Sequence, residues 1–215
     1  MSAHDRLDLT RWLREFPLTQ LRAEDPDLSV YQIDGPRDIA LLEQLRAEAD
    51  PAARGEGIPV DVCVWNIGEP ANLAITKVGG SPYRPTDAPW PTASDGSPLG
   101  LLAQFNFTDS LDVLAPIPPA ALPGDVLLVF TKGPHMYGDW DPDEPDTWAL
   151  EWHRVRPGSR IPPARHILDM TPAFATLHRT MDYPSTNEDD DGDITWGTKF
   201  GGVHPYQQGD PKLPG

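Results

Sequence analysis

One cysteine, Cys63, stands in 215 residues, so no intrachain disulfide can form, which fits a reducing compartment. Positive charge is also scarce. Seventeen Lys and Arg face 33 Asp and Glu, a formal net charge of −16 that repels nucleic-acid phosphates and anionic lipid and favours basic partners or cations. Neither nucleic acid nor membrane is expected as a partner. No stretch approaches the roughly 18 apolar residues of a membrane span. The opening "MSAHDRLDLTRWLREF" lacks the apolar run of a secretory signal, so the expected location is cytoplasmic. Gly-x-Ser-x-Gly, Walker and Gly-x-Gly-x-x-Gly phrases are absent too, which removes the usual signatures of hydrolases and nucleotide-binding enzymes.

What is abundant is proline. The 26 prolines outnumber the 18 glycines and imply short elements joined by stiff connections. Residues 5–16 place Leu7, Leu9, Trp12, Leu13 and Phe16 near helical spacing, ended by Pro17. "GPRDIALLEQLRAEAD" reads as a second helix, with Pro36 in its first turn and Ile39, Leu42 and Leu45 on one stripe.

From residue 59 the period changes to two. "VDVCVWNI" sets Val60, Val62 and Val64 against Asp61, Cys63 and Trp65. "LGLLAQFNFT" sets Leu99, Leu101, Ala103, Phe105 and Phe107 against Leu102, Gln104 and Asn106. "DVLLVFTK" is apolar on both faces, as a central strand is, and "WALEWHRV" groups Trp148, Leu150 and Trp152. "MTPAFATLHRTM" reads as a further short helix.

Helices followed by a run of strands give the expected fold class: α+β, a largely antiparallel sheet with N-terminal flanking helices. Residues 1–58 form the expected helical flank and 59–215 the α+β domain, the two packed as one compact unit.

One phrase occurs twice. "TKVGGSP" at 76–82 returns as "TKFGGVHP" at 198–205. Two glycines permit positive φ or a close backbone approach, and the following proline fixes the exit, so each copy reads as a strand end that turns sharply. After the first copy the chain continues "YRPTDAPWPTASDGSPLGLLAQFNFTD", a Trp-Pro and an Asp-Gly-x-Pro-Leu leading into a strand with Ala-Gln.

These phrases resemble the YwqG-like family, bacterial proteins classed as a domain of unknown function. The resemblance runs over about residues 59–215 and closes on Gln208-Gly209-Asp210-Pro211. It implies an internally duplicated strand–Gly-Gly-turn unit. As ligand or fold-motif residues it marks Lys77, Gly79, Gly80, Trp90, Gln104, Lys199, Gly201, Gly202 and Gln208. The second copy is short: 19 positions separate Gly80 from Leu99, but 13 residues follow Gly202. An open sheet edge, and a homodimer formed through it, is the expected consequence. Gln104 is expected to satisfy backbone groups of the turn rather than to read a ligand. A lysine beside a glycine turn, as Lys77 and Lys199 are, can alternatively hold an anion.

The remaining candidates are weaker. "NEDDDGDITWGT" aligns Asp189, Asp191 and Asp193 with the early positions of a calcium loop, yet position 12 is Thr198 where a bidentate Glu belongs. Asp139, Asp141 and Asp143 sit in a loop stiffened by two prolines. Both stretches read as solvated acidic loops, with weak divalent binding as the alternative. The histidines at 135, 153, 166, 178 and 204 lack zinc spacing, although His153 stands close to Glu151. Cys63, mid-strand, reads as a buried inert thiol.

No cofactor is implied and no catalytic residue emerges. The composite expectation is a non-enzymatic acidic interaction module, which the family resemblance makes immunity-like or regulatory. The alternative is a small-ligand-binding protein or enzyme with a weak divalent-cation site.

Overall fold

The computed structural model describes Arg14 and residues 35–48, 55–113, 118–133, 147–156, 167–184, 194–195 and 197–203. Seven strands dominate: β1 (Ile58–Ile67), β2 (Lys77–Val78), β3 (Gly100–Asn106), β4 (Val126–Thr131), β5 (Trp148–His153), β6 (Ala173–Asp182) and β7 (Lys199–Gly201). They run in the order β5-β4-β3-β2-β6-β1-β7, and every recorded strand ladder is antiparallel.

This corrects the α+β expectation. The protein is mostly antiparallel sheet, and one helix, α1 (Pro36–Glu48), is bounded within the described residues. The helix expected at 5–16 lies outside them apart from Arg14.

The segment expected as a helix at 170–181 is strand β6. Its Ala, Leu, Met and Arg suit a helix, but Ala175 and Leu177 are buried at a spacing of two. Its start also supplies the ladder that β2 needs, with Lys77 opposite Phe174. Pairing overrides propensity here.

The described residues divide into two compact units. One takes those up to Val64, Asp112–Val113 and those from Thr176 onward. Its helix starts where the Asp38 carboxylate accepts the Gly35 N–H at 2.9 Å, a cap with Pro36 as the first helical residue. Ile39 and Leu42 of α1 then pack on Val60, Val62 and Val64. Asp61 and Cys63 are also fully buried, so β1 is covered on both faces over this stretch.

Asp61 receives Arg179 at 2.9 and 2.7 Å, and Arg179 also pairs with Asp112, which together raise the arginine's pKa further. Burial, aided by the Asp61 charge, pushes the Cys63 thiol up to about 12. Cys63 should therefore stay unreactive toward a thiol reagent in the native protein and react only at the rate of unfolding. Fast stoichiometric labelling would contradict this packing.

The other unit takes Trp65–Leu111 and the described residues from 118 to Ala175. Its core joins Leu99, Leu101, Val126, Leu128 and Phe130 with Tyr83, backed by Trp90. Each large apolar side chain buried there contributes about 1.5–3 kcal/mol. β4 alternates buried and half-buried residues, with Val126, Leu128 and Phe130 inward. β3 does not keep a simple alternation. Leu101 lies opposite Phe130 but Ala103 opposite Val129, so Leu102 is an extra, bulged residue. The bulge swaps faces downstream. Gln104, expected on the less apolar face, comes opposite Leu128 and is buried with the core.

Candidate functional site

The two Lys-x-Gly-Gly phrases fold into corners with the same contacts. All four glycines have positive φ, between 62° and 72°. In the first corner Glu69 accepts the Ser81 N–H at 2.7 Å and lies 3.6 Å from Lys77 Nζ, which also donates to the Ser81 carbonyl. In the second, Asp182 Oδ2 accepts the Val203 N–H at 2.9 Å and Lys199 Nζ at 2.7 Å. Each carboxylate thus ties a lysine to the N–H four residues later. The third residue after the glycine-preceding lysine carries no side chain because the carboxylate occupies that place. A Cβ would stand 1.9 Å from Glu69 at Gly80 and 2.3 Å from Asp182 at Gly202.

Burial lowers the pKa of Lys77, with Glu69 pulling it partly back. Burial pushes the Asp182 carboxyl up, but bonds from Lys199, Thr195 and Val203 outweigh it and hold it below its ordinary value. The lysines are committed to these corners, so neither is offered to a ligand.

Gln104 is committed as well. Its Nε2 donates to the carbonyls of Leu73 and Ile75 at 2.8 and 2.6 Å, and its Oε1 accepts the Tyr83 N–H at 2.7 Å. It therefore fixes where the chain emerges from the first corner. The next residue, Arg84, is buried. Its guanidinium sits 5.4 Å from the Trp90 ring centroid, with Trp90 edge-on to Phe130 at 5.6 Å. Trp90 is held by its indole N–H to the Leu99 carbonyl at 2.7 Å. Arg84 donates twice to Glu151, at 2.9 and 2.8 Å, and to the carbonyls of Ala88 and Pro89.

Glu151 also meets His153 Nε2 at 3.0 Å, the contact their spacing on β5 suggested. Burial raises the Glu151 carboxyl, while His153 and Arg84 outweigh that and lower it. Glu43 of α1 behaves alike in the first unit, lowered by His178 and Thr180 against burial. Folding keeps these carboxylates and Asp182 ionised where the unfolded chain already takes up protons. Their stabilisation is full above about pH 5 and is lost as the pH falls through their depressed values. Urea midpoints should hold between about pH 7 and 5 and drop steeply below about pH 4; a flat profile into the acid range would contradict the pairings.

Beside this support lies a cavity of about 380 Å³ between residues 83–87 and the end of β5. Arg84, His153, Arg154 and Arg156 line it, with Asp87 as the single acidic residue among the lining. The Tyr83 hydroxyl accepts the Arg156 N–H at 2.8 Å and donates to the Arg156 carbonyl at 3.0 Å, tying the two sides together. Arg154 is half-exposed and rests on Asp125. Residues 76–156 match a family model described as a domain of unknown function (DUF1963). Every lining residue of the cavity falls within the matched segment. The match stops short of the second Lys-x-Gly-Gly phrase, so the wider YwqG-like resemblance rests on the sequence phrases alone. A comparison with curated proteins found no match.

Of the motif residues, Lys77, Gly79, Gly80, Trp90 and Gln104 come together in one unit, and Lys199, Gly201 and Gly202 in the other. Gln208 and the acidic candidates Asp139, Asp141, Asp143, Asp189, Asp191 and Asp193 lie outside the described residues. Among the described residues no group of three His, Cys, Asp or Glu is placed to hold a metal ion. No helix there is long and apolar enough to cross a membrane.

Sequence reasoning missed Glu69, Asp182, Arg84, Arg154 and Arg156. One signal was available: Arg84 is the single basic residue between Lys77 and Lys132.

Proposed function

We propose that the unit containing residues 76–156 binds a small oxyanion, a phosphate or carboxylate group, in the cavity lined by His153, Arg154 and Arg156. One observation carries the reading. In a chain of net charge −16, three arginines and a histidine converge on one cavity against a single lining carboxylate. Arginine's planar fork suits such groups. Arg84, fully engaged by Glu151 and two carbonyls, positions the wall, while Arg154 and Arg156 stand at the exposed end of β5.

Thermal melting at fixed ionic strength tests this with orthophosphate, pyrophosphate, citrate, Ca²⁺ and Mg²⁺. An anion at a hundredfold its Kd stabilises by about 2.7 kcal/mol, a clear saturable rise in Tm. Arg156→Ala should abolish the rise while leaving the two Tyr83 bonds in place, because these use only the Arg156 backbone. A response to the cations alone, or an anion response that survives Arg156→Ala, would contradict the proposal.

The charge of −16 favours a second reading, an acidic surface that captures a basic protein in an immunity-like or regulatory role. Capture of a basic partner that weakens with salt is its expected result, and salt-independent capture or none would count against it.

A further inference from the structure

β5 ends the strand order, and among the described residues no strand pairs with its outer side. The carbonyls of Thr147 and His153 accept bonds from Lys132 and Asp125, so the odd-numbered residues of β5 direct their backbone toward β4. By alternation Trp148, Leu150 and Trp152 direct N–H and C=O toward the open edge. The same residues share one face, where Trp148 is 37% and Leu150 51% exposed. Long apolar edges of this kind are rarely left bare in folded proteins.

We propose that β5 pairs antiparallel with β5 of a second copy about a two-fold axis at Leu150. The register follows from the residues themselves. A two-fold normal to the sheet requires paired residues to share a face, so the axis must fall on a residue. Centred on Leu150, it sets Trp148 opposite the partner's Trp152, Leu150 opposite the partner's Leu150, and Glu151 opposite the partner's Ala149. Three apolar cross-strand pairs form and no like charges meet. Centred on Glu151, it would set two carboxylates directly opposite. Centred on Ala149, it would leave Trp152 beyond the start of the partner strand at Trp148. The Leu150 register is the self-complementary one, and it identifies the occupant as this same chain.

Light scattering on the intact chain should give twice the 23.7 kDa monomer mass as concentration rises. Leu150→Cys should then form a disulfide-linked dimer on mild oxidation, because residues at the axis of a hydrogen-bonded pair approach to about 5.5 Å between Cα atoms. Cys63, fully buried, does not compete. Trp148→Cys, whose opposite residue is Trp152, should remain uncrosslinked. A strict monomer, a dimer in which Leu150→Cys fails to crosslink, or equal crosslinking by Trp148→Cys would each overturn the proposal.

Discussion

Asp182→Ala is expected to destabilise the protein by about 3–5 kcal/mol, the usual result of removing one partner from a buried ion pair. The Asp182 side chain has no exposure, and that of Lys199 has 9%. Its carboxylate satisfies Lys199 and the N–H groups of Thr195 and Val203, and without it a nearly buried ammonium loses its counter-charge. The equivalent change in the other corner, Glu69→Ala, should cost markedly less. Lys77 is itself only 1% exposed, but Glu69 is 37% exposed and stands 3.6 Å from it, so the lost pair is the weaker one, water can take the carboxylate's place at Ser81, and Lys77 keeps the Ser81 carbonyl. Urea unfolding of the two variants checks the ordering. Equal losses would show that burial does not govern these corners.

Gln104→Leu is expected to cost roughly 2–3 kcal/mol, although it is close in volume and sits among apolar neighbours. Three backbone groups lose their partner at once: the carbonyls of Leu73 and Ile75 and the N–H of Tyr83. Each unsatisfied buried group costs about 1–3 kcal/mol. The same change frees the start of the 83–87 segment and should weaken anion binding in the protein that still folds. A variant as stable as the parent would mean that water or a backbone shift satisfies the three groups, and the amide's role would shrink accordingly.

The strand pattern was largely legible. The alternation in β1 and β5, and the apolar run of β4, announce pleated elements because side chains on a strand repeat every two residues. The Gly-Gly pairs announced positive φ, and all four glycines adopt it. Three things were hidden for physical reasons. β6 is composed of residues that accept a helix, and only its neighbours in the sheet decide otherwise. The bulge at Leu102 shifts Gln104 to the core face, a displacement set by the partner strand rather than by local sequence. Glu69 and Asp182 reach their corners from 8 and 17 positions before the lysines, and nothing distinguishes them among 33 acidic residues.

The site shows the same division. Lys77, Trp90 and Gln104 were visible as a phrase, but they brace the chain behind the cavity and none of them lines it. The groups facing the cavity, Arg154 and Arg156, belong to an ordinary-looking "HRVR" at the end of β5. Their meaning depends on Tyr83 and Arg84 arriving from 70 positions away in sequence, as the 73-residue separation of the Tyr83–Arg156 bonds shows.

The most direct measurement is an amide ¹H–¹⁵N NMR titration of the intact chain with phosphate and, separately, with Ca²⁺ at matched ionic strength. Phosphate should move the amides of residues 83–87 (Pro85 excepted) and 152–156 saturably, while Ca²⁺ leaves them in place. Phosphate shifts that are absent or spread evenly, or a saturable Ca²⁺ response of these same amides, would contradict the anion cavity.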